Sequence, residues 1–254
     1  MNDAIPPFVS IIMPCRNSEA TLVPAVSSVL AQDYEAFELL IVDDGSTDNS
    51  VAIAQNFCEK DRRVRLLFNR GESHGASYAR NTGLAACRGK MIAFLDSDDL
   101  WFRWALADRI SRLRDTGASI VYGPYLRLLS NGTTTQVTPR KRVSYRDMLH
   151  RNQIGNLTGL YDAQALGIEF QANVPHEDYL MWCKLIQRGA PAVATLGRPL
   201  GIYRVSAASL SGHKGRAFLW HWRVLRDELH VPLYEAAVLQ AFYAIDSLVH
   251  RIMK

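Results

Sequence analysis

Asp96, Asp98 and Asp99 follow directly on the apolar run Met91-Ile92-Ala93-Phe94-Leu95, with Ser97 between the first two. A run of that length reads as a buried strand. Carboxylates at the end of such a strand, in an α/β pattern, lie at the carboxyl edge of the sheet, where open α/β folds bind ligands. Crowded carboxylates repel one another unless a cation sits between them. Asp96-x-Asp98 is therefore a plausible clamp for a hard divalent cation, and through it for a diphosphate. Asp and Ser also make solvated turns, so the motif alone leaves both readings open. Asp43-Asp44-Gly45-Ser46-Thr47-Asp48 closes a second apolar run, Phe37 to Val42. A carboxylate there can accept from the N–H of a base or from ribose hydroxyls. Pro14 and Asn17 close a third run, Val9 to Met13. Three polar strand ends at one edge make a crevice fit for a ligand. Arg80-Asn81, just upstream of Met91, could serve a phosphate bidentately or hold Asp96 by a salt bridge.

The elements that must position these residues alternate. Strands are expected at Val9–Met13, Phe37–Val42, Val64–Phe68 and Met91–Leu95. Between them, Ser18 is expected to cap a helix reaching about Gln32, and Ser46 or Thr47 one reaching about Lys60. A third helix is expected from Gly75 to Cys87. Such alternation predicts an α/β fold, a mostly parallel central sheet flanked by helices on both faces. Pro14-Cys15-Arg16-Asn17 stands where a dinucleotide fold has Gly-x-Gly-x-x-Gly, and there is no Walker loop. Beyond Asp99 the pattern predicts a helix over Trp101–Thr116, short strands within Ala118–Leu129 and a turn at Asn131-Gly132. A helix over Asp178–Arg188 and an extended stretch from Ala192 to Tyr203 follow, while polar Arg140 to Gly155 gives no assignment. From Arg216 two C-terminal helices break near Val231-Pro232. Their apolar residues, among them Phe218, Leu219, Trp222 and Phe242, suit packing on the domain, a homodimer or peripheral membrane contact.

The chain has 254 residues and a net charge of +4, too mild to imply a nucleic-acid partner. His213 to Arg226 is locally basic. Cys15, Cys58, Cys87 and Cys183 show no Cys-x-x-Cys pairing and read as thiols of a reducing compartment. Neither a signal peptide nor a membrane-spanning run is visible, so the expected place is cytoplasmic, at most peripheral to the inner face of the membrane.

Taken in order, Val9-Ser10-Ile11-Ile12-Met13-Pro14 with Asn17, Asp43 to Asp48, Ala79-Arg80-Asn81-Thr82-Gly83 and Leu95 to Asp99 resemble the family 2 glycosyltransferases. The similarity covers about residues 8 to 102. It implies a GT-A fold, a nucleotide-diphosphate sugar donor (UDP by family weight), Mg²⁺ or Mn²⁺ as cofactor, and inversion at the anomeric carbon. By position, Pro14, Asn17 and Asp44 would line the nucleoside pocket, with Asp44 on the base. Asp96 would meet the ribose or sugar and share the metal with Asp98, its principal ligand, and Asp99 would support it. Glu19, Arg80, Asn81 and Ser97 fall on the same donor side. Arg16 departs from the aromatic residue common there. The family usually places its base in a Glu-Asp pair ahead of a helix, which implies Asp178, with Glu177 second. From the residues alone that pair is equally a helix N-terminal cap. On the later loop, Arg204 or His213 would contact phosphate or metal.

Gln187-Arg188-Gly189-Ala190 stands in place of the Gln-x-x-Arg-Trp of processive synthases, which favours single addition. The expected division is a GT-A domain over residues 1–215, with a nucleotide-binding half (1–102) and an acceptor-binding half (103–215), then a helical extension over 216–254. The implied activity is transfer of one hexosyl or N-acetylhexosaminyl group to a glycan or lipid-linked glycan acceptor in cell-surface polysaccharide biosynthesis. The alternatives are a non-catalytic nucleotide-sugar-binding subunit and a nucleotidyltransferase. The second would want a Gly/Arg-rich loop that Pro14 to Asn17 do not supply.

Overall fold

The computed structural model describes residues 9–71, 73–189, 192–205 and 214–252. Strands β1 (Val9–Cys15), β2 (Phe37–Asp43), β3 (Val64–Phe68) and β4 (Met91–Phe94) pair in parallel in the order β3-β2-β1-β4. Helices α1 (Leu22–Leu30), α2 (Ser50–Lys60) and α3 (Ala76–Ala86) connect them. β1 and β2 are apolar almost throughout because both faces of the sheet are covered. Strand alternation sends Ile11 and Met13 into the core beneath α1, and Ile12 into the core beneath α3.

The chain continues through β5 (Leu100–Trp101), α4 (Ala105–Thr116), β6 (Ile120–Tyr122), β7 (Tyr125–Leu128), β8 (Thr134–Val137) and β9 (Arg142–Val143). Then come α5 (Tyr145–His150), β10 (Leu160–Asp162), α6 (Ala163–Leu166), α7 (Glu177–Arg188), β11 (Ala192–Ala194) and β12 (Gly201–Arg204). The main sheet extends as β4-β10-β6-β11-β9. β10 runs antiparallel to both β4 and β6, so β6 regains the direction of the first four strands, and β11 keeps it. A smaller sheet, β5-β12-β7-β8, lies beside the acidic loop, and its β7–β8 hairpin turns at Gly132, φ 80°. Helix α8 (Lys214–Arg223) passes through a π-helical turn (Val224–Glu228) before α9 (Leu233–Ile252). Leu225, Val231, Ala236 and Leu239 form a small core with Leu149 of α5. None of the described helices is long and apolar enough to cross a membrane.

The starts of α1 and α2 differ from the sequence expectation for a common reason: the expected caps serve the loops instead. Ser18 does not cap α1, which begins at Leu22; its hydroxyl lies 2.8 Å from that of Ser97. Ser46 and Thr47 do not cap α2, because the Ser46 hydroxyl accepts the Asn17 N–H and the Thr47 hydroxyl donates to Asn17 Oδ1, and the helix begins at Ser50. Trp101 belongs to β5, and the helix expected from there starts at Ala105. The unassigned stretch from Arg140 holds β9 and α5, the latter opened by a Ser144–Asp147 capping box.

Two glycines let helices approach the sheet. A Cβ on Gly83 of α3 would stand 2.5 Å from Cγ2 of Ile12 on β1. One on Gly159 would stand 2.3 Å from the ring of Trp182, the fully buried residue that seats α7 edge-on against Phe94 and Tyr161. An indole so enclosed cannot swing aside. Gly159→Ala should lower stability by about 2 kcal/mol, in the range of overpacked cores, read as an earlier midpoint in urea unfolding. An unchanged midpoint would mean that α7 shifts freely.

Candidate active site at the carboxyl edge of the sheet

The loops after β1 and β2 are stapled together by side chains. Asp43 accepts from the N–H groups of Gly45 (3.1 Å) and Ser46 (3.2 Å), tightening a turn in which Gly45 takes φ 81°. Asn17, itself at φ 49°, accepts from the Thr47 N–H at 2.8 Å and donates its own N–H to Ser46 Oγ at 3.0 Å. Glu19 accepts from the Asn49 N–H at 3.0 Å, while its own N–H bonds Asp48 at 3.0 Å. Pro14 is half-buried on β1, in register with Val42. Asp44 is buried and takes the Gly75 N–H at 2.8 Å and the Asn69 amide at 2.6 Å. His74 and Arg16 lie 3.3 and 3.6 Å from its two oxygens. One carboxylate thus gathers the β1, β2 and β3–α3 loops.

The acidic loop after β4 closes through an Asp99 N–H bond to the Asp96 carbonyl, 3.1 Å. Ser97 is buried against Ser18, and Asp98 points to solvent. Asp99 is buried and accepts the Arg204 N–H at 2.9 Å, which ties the loop to β12. Arg80, buried on α3, reaches three ways: Asp96 Oδ1 at 2.7 Å, Glu177 Oε1 at 2.9 Å and Gln171 Oε1 at 3.2 Å. Asn81 exchanges two 2.8 Å bonds with the Gln171 backbone. The β4 loop, α3 and the start of α7 therefore meet at one guanidinium. Asp178, beside Glu177, accepts from the Tyr179 N–H at 2.8 Å and lies 3.4 Å from the Asn152 amide. His176, in the left-handed region at φ 62°, turns the chain into α7 just before the pair. Gln171 and Asn152 were not foreseen; a lone amide carries no signal that it will meet a charge distant in sequence.

Electrostatics follow from this crowding. Burial and the neighbouring Asp96 carboxylate push Asp99 up to about 8. Burial and Glu177 raise Asp178 to about 6, against the pull of Arg80. Burial works against the Arg80 charge, but Asp96 and Glu177 outweigh it and hold the guanidinium above its ordinary range. Asp96 and Asp98 are hard oxygen donors on an acidic loop, the kind of set that holds Mg²⁺ or Mn²⁺ together with substrate phosphates. No cluster of three or more ligating side chains occurs among the described residues, so phosphate oxygens and water would complete such a shell. His213 lies outside the described residues. Arg204 is half-buried, with its Nε unbonded.

Residues 10–169 match the family model for glycosyl transferase family 2. Over 247 residues, 97% of this chain and 94% of its relative, the sequence is 34% identical to the UDP-Glc:alpha-D-GlcNAc-diphosphoundecaprenol beta-1,3-glucosyltransferase WfgD of Escherichia coli. The chain belongs to glycosyl transferase family 2. It is a glycosyltransferase. S. aureus TarS (residues 1–349), solved with UDP-GlcNAc, shares the fold at a TM-score of 0.71 and 19% identity, over 93% of this chain and 70% of that one. The Pyrobaculum calidifontis mannosyltransferase solved with GDP-Man and Mn²⁺ aligns at a TM-score of 0.63 and 18% identity, over 97% and 76%. This family 2 enzyme thus has the GT-A fold that the resemblance implied.

Two outcomes are expected of substitutions here. Asp96 and Glu177 keep 36% and 25% of their side-chain surface exposed, so solvent softens the loss of their shared cation. Arg80→Ala should then cost about 3 kcal/mol, the lower end for breaking a buried pair. Arg80→Lys should recover only part of it, since a point charge cannot fork to both carboxylates; equal stability of the two variants in urea would refute the bridging role. Asp178 titrates near 6 in the fold against an ordinary 3.8, so the native state holds its proton more tightly than the unfolded chain. Its charged form therefore costs stability above pH 6, and the cost vanishes as the pH falls toward 4. Asp178→Asn should melt at a higher temperature than the parent at pH 8 and at the same temperature near pH 4. A lower melting temperature at pH 8 would show that the carboxylate is welcome at the helix start.

Proposed function

We propose that this family 2 glycosyltransferase is metal-dependent and inverting, and moves one sugar from a UDP-sugar to a lipid-linked glycan whose first residue is an N-acetylhexosamine on a polyprenyl diphosphate. The observation that carries the reading is the Arg80 bridge, with the acidic loop of β4 on one arm and the Glu177-Asp178 pair on the other. Donor and acceptor readings draw on the activity named for WfgD and on the UDP-GlcNAc bound by TarS. In this reading residues 1–102 hold the donor, residues 103–215 the acceptor, and residues 216–254 are a helical extension.

Pro14, Asn17 and Asp44 line the nucleoside pocket, the stapled loops fixing its walls before the donor arrives. Asp96 and Ser97 face the ribose and sugar, and Arg80, Asn81 and Glu19 keep those loops in register. Asp98, with Asp96, would hold Mg²⁺ or Mn²⁺, which when bound would supply positive charge to balance the diphosphate. Arg204, with its free Nε, adds a donor for phosphate. Asp178 takes the proton of the acceptor hydroxyl as that oxygen bonds the anomeric carbon from the face opposite the nucleotide. The bond from that carbon to the diphosphate oxygen breaks, and UDP leaves with the electron pair. A hydroxyl is a weak acid, and a base raised to about 6 by burial is better matched to it than an ordinary aspartate. Glu177, locked on Arg80, orients the pair.

A thermal-shift panel of UDP, GDP, TDP and CDP with and without Mn²⁺ tests the donor. UDP with Mn²⁺ at about a hundred times its Kd should add about 2.7 kcal/mol, a rise on the order of 5–10 °C for a chain of this size. Asp98→Ala should lose the metal-dependent part. Asp178→Asn should keep the whole shift while transfer falls by about a hundred- to ten-thousandfold, the worth of a general base. Transfer by the parent should decline about tenfold per pH unit below 6. Unchanged turnover in Asp178→Asn removes Asp178 as the base, and no shift with any nucleotide removes the donor site.

A further inference from the structure

Eleven large apolar side chains stand exposed among the described residues, and six of them, Phe218, Leu219, Leu233, Tyr234, Val238 and Phe242, lie on α8 and α9. On α9 the pattern is regular. Tyr234, Val238 and Phe242 recur every fourth residue, so they line one face. Ala237 and Ala241, exposed on that same side, are apolar too. The opposite side, Ala236 and Leu239, is already buried in the small core with Leu149 and Leu225. The exposed stripe is thus surplus to the packing of the fold, and contiguous apolar surface of this kind marks a contact.

Charge decides between the candidate occupants. Helix α8 carries Lys214, Arg216 and Arg223 in its sequence and no Asp or Glu, and Asp227 and Glu228 come only after it, in the π-turn. A two-fold contact between copies would bring like charges of α8 toward one another, which opposes association. An anionic lipid surface complements both features at once: cations for the head groups, an apolar helix face for the acyl boundary. The same helices also reach the site. Gln240 of α9 bonds buried His221 of α8 at 2.9 Å. The neighbouring Trp220 sets its ring edge-on against His176 at 5.3 Å, one residue before Glu177.

We propose that the exposed face of α9, with the cationic α8 beside it, lies on an anionic lipid bilayer and presents the Glu177-Asp178 end of the crevice to an acceptor held in that bilayer. The choice of a bilayer rests in part on the lipid-linked acceptor proposed above, and its failure can be told apart from the failure of that reading.

The full chain is sedimented with vesicles of phosphatidylcholine mixed with phosphatidylglycerol, and with vesicles of phosphatidylcholine alone. It should pellet with the anionic vesicles and far less with the neutral ones. Tyr234→Glu with Val238→Glu, both at exposed positions, should weaken vesicle binding by roughly tenfold or more. Its melting temperature and its transfer to a water-soluble acceptor should stay unchanged. Arg223→Glu should weaken binding to the anionic vesicles alone by several-fold. Three results would overturn the inference: a parent protein that stays in the supernatant with both vesicles, a double variant that binds as well as the parent, or gel filtration showing a dimer that the double variant splits. The UDP and Mn²⁺ melting shift is read on the same preparations. No vesicle binding with the shift intact sinks the bilayer contact alone, and binding without the shift upholds the contact while the donor reading fails.

Discussion

Carboxylates from distant parts of a chain do not gather without a cation, and here the resident cation is Arg80. Its guanidinium is buried on α3, bonds Asp96 at the end of β4, and bonds Glu177 at the start of α7. Each pairing alone would be an ordinary ion pair of modest worth. Together they set the distance between the acidic loop and the acidic helix start, because the fork geometry of arginine fixes both directions at once. The approach of α3 to the sheet then becomes a functional quantity. It depends on Gly83 lying flat on Ile12 and on Asn81 clasping the backbone of Gln171. A bulkier residue at Gly83 would move the bridge, not merely loosen a core.

The loops on the other side of the crevice obey the same economy of polar groups. Backbone N–H groups at strand ends are orphans by geometry and must find acceptors. Asp43 supplies them within its own turn, and Asn17, Glu19 and Asp44 each to a neighbouring loop, so that the loops satisfy one another. The result is a wall whose loops are tied to one another by side chains. Tying of this kind favours binding, since the wall loses little freedom when a ligand arrives. The positive φ at Asn17 is the local cost of that closure, one of three non-glycine residues held in the left-handed region among the described residues.

How much of this was legible in the chain depends on whether the signal was local. β1, β2 and β4 could be read because double burial leaves uninterrupted apolar runs, and Asn131-Gly132 because it fixes a turn by itself. Residue types at the site could be read for the same reason: Asp96-x-Asp98 and Glu177-Asp178 each sit within one short motif. What links them could not. β10, three residues long, slips antiparallel between β4 and β6 on the strength of partners far away in sequence. Arg109 looks like a surface residue of α4, yet it is fully buried with its guanidinium 4.1 Å over the Trp101 ring and one nitrogen unbonded. Helix starts were misplaced wherever a capping side chain had a better use in the loop contacts of the site, as at Ser18.

The choice between Glu177 and Asp178 as the proposed base turns on which carboxylate is free to accept a proton. Glu177 is held 2.9 Å from Arg80, and protonating it would break the bridge that sets the site. Asp178 is held by weaker neutral donors, the Tyr179 N–H and the Asn152 amide, and its neighbours already push its carboxyl toward the neutral form. A proton gained there leaves Arg80, Asp96 and Glu177 where they were. The left-handed turn at His176 matters for the same reason, because a residue in that conformation redirects the chain sharply into α7. In the proposed reaction, two adjacent carboxylates with unequal surroundings would be divided between holding the structure and moving the proton, and the division would follow from which of the two the arginine reaches.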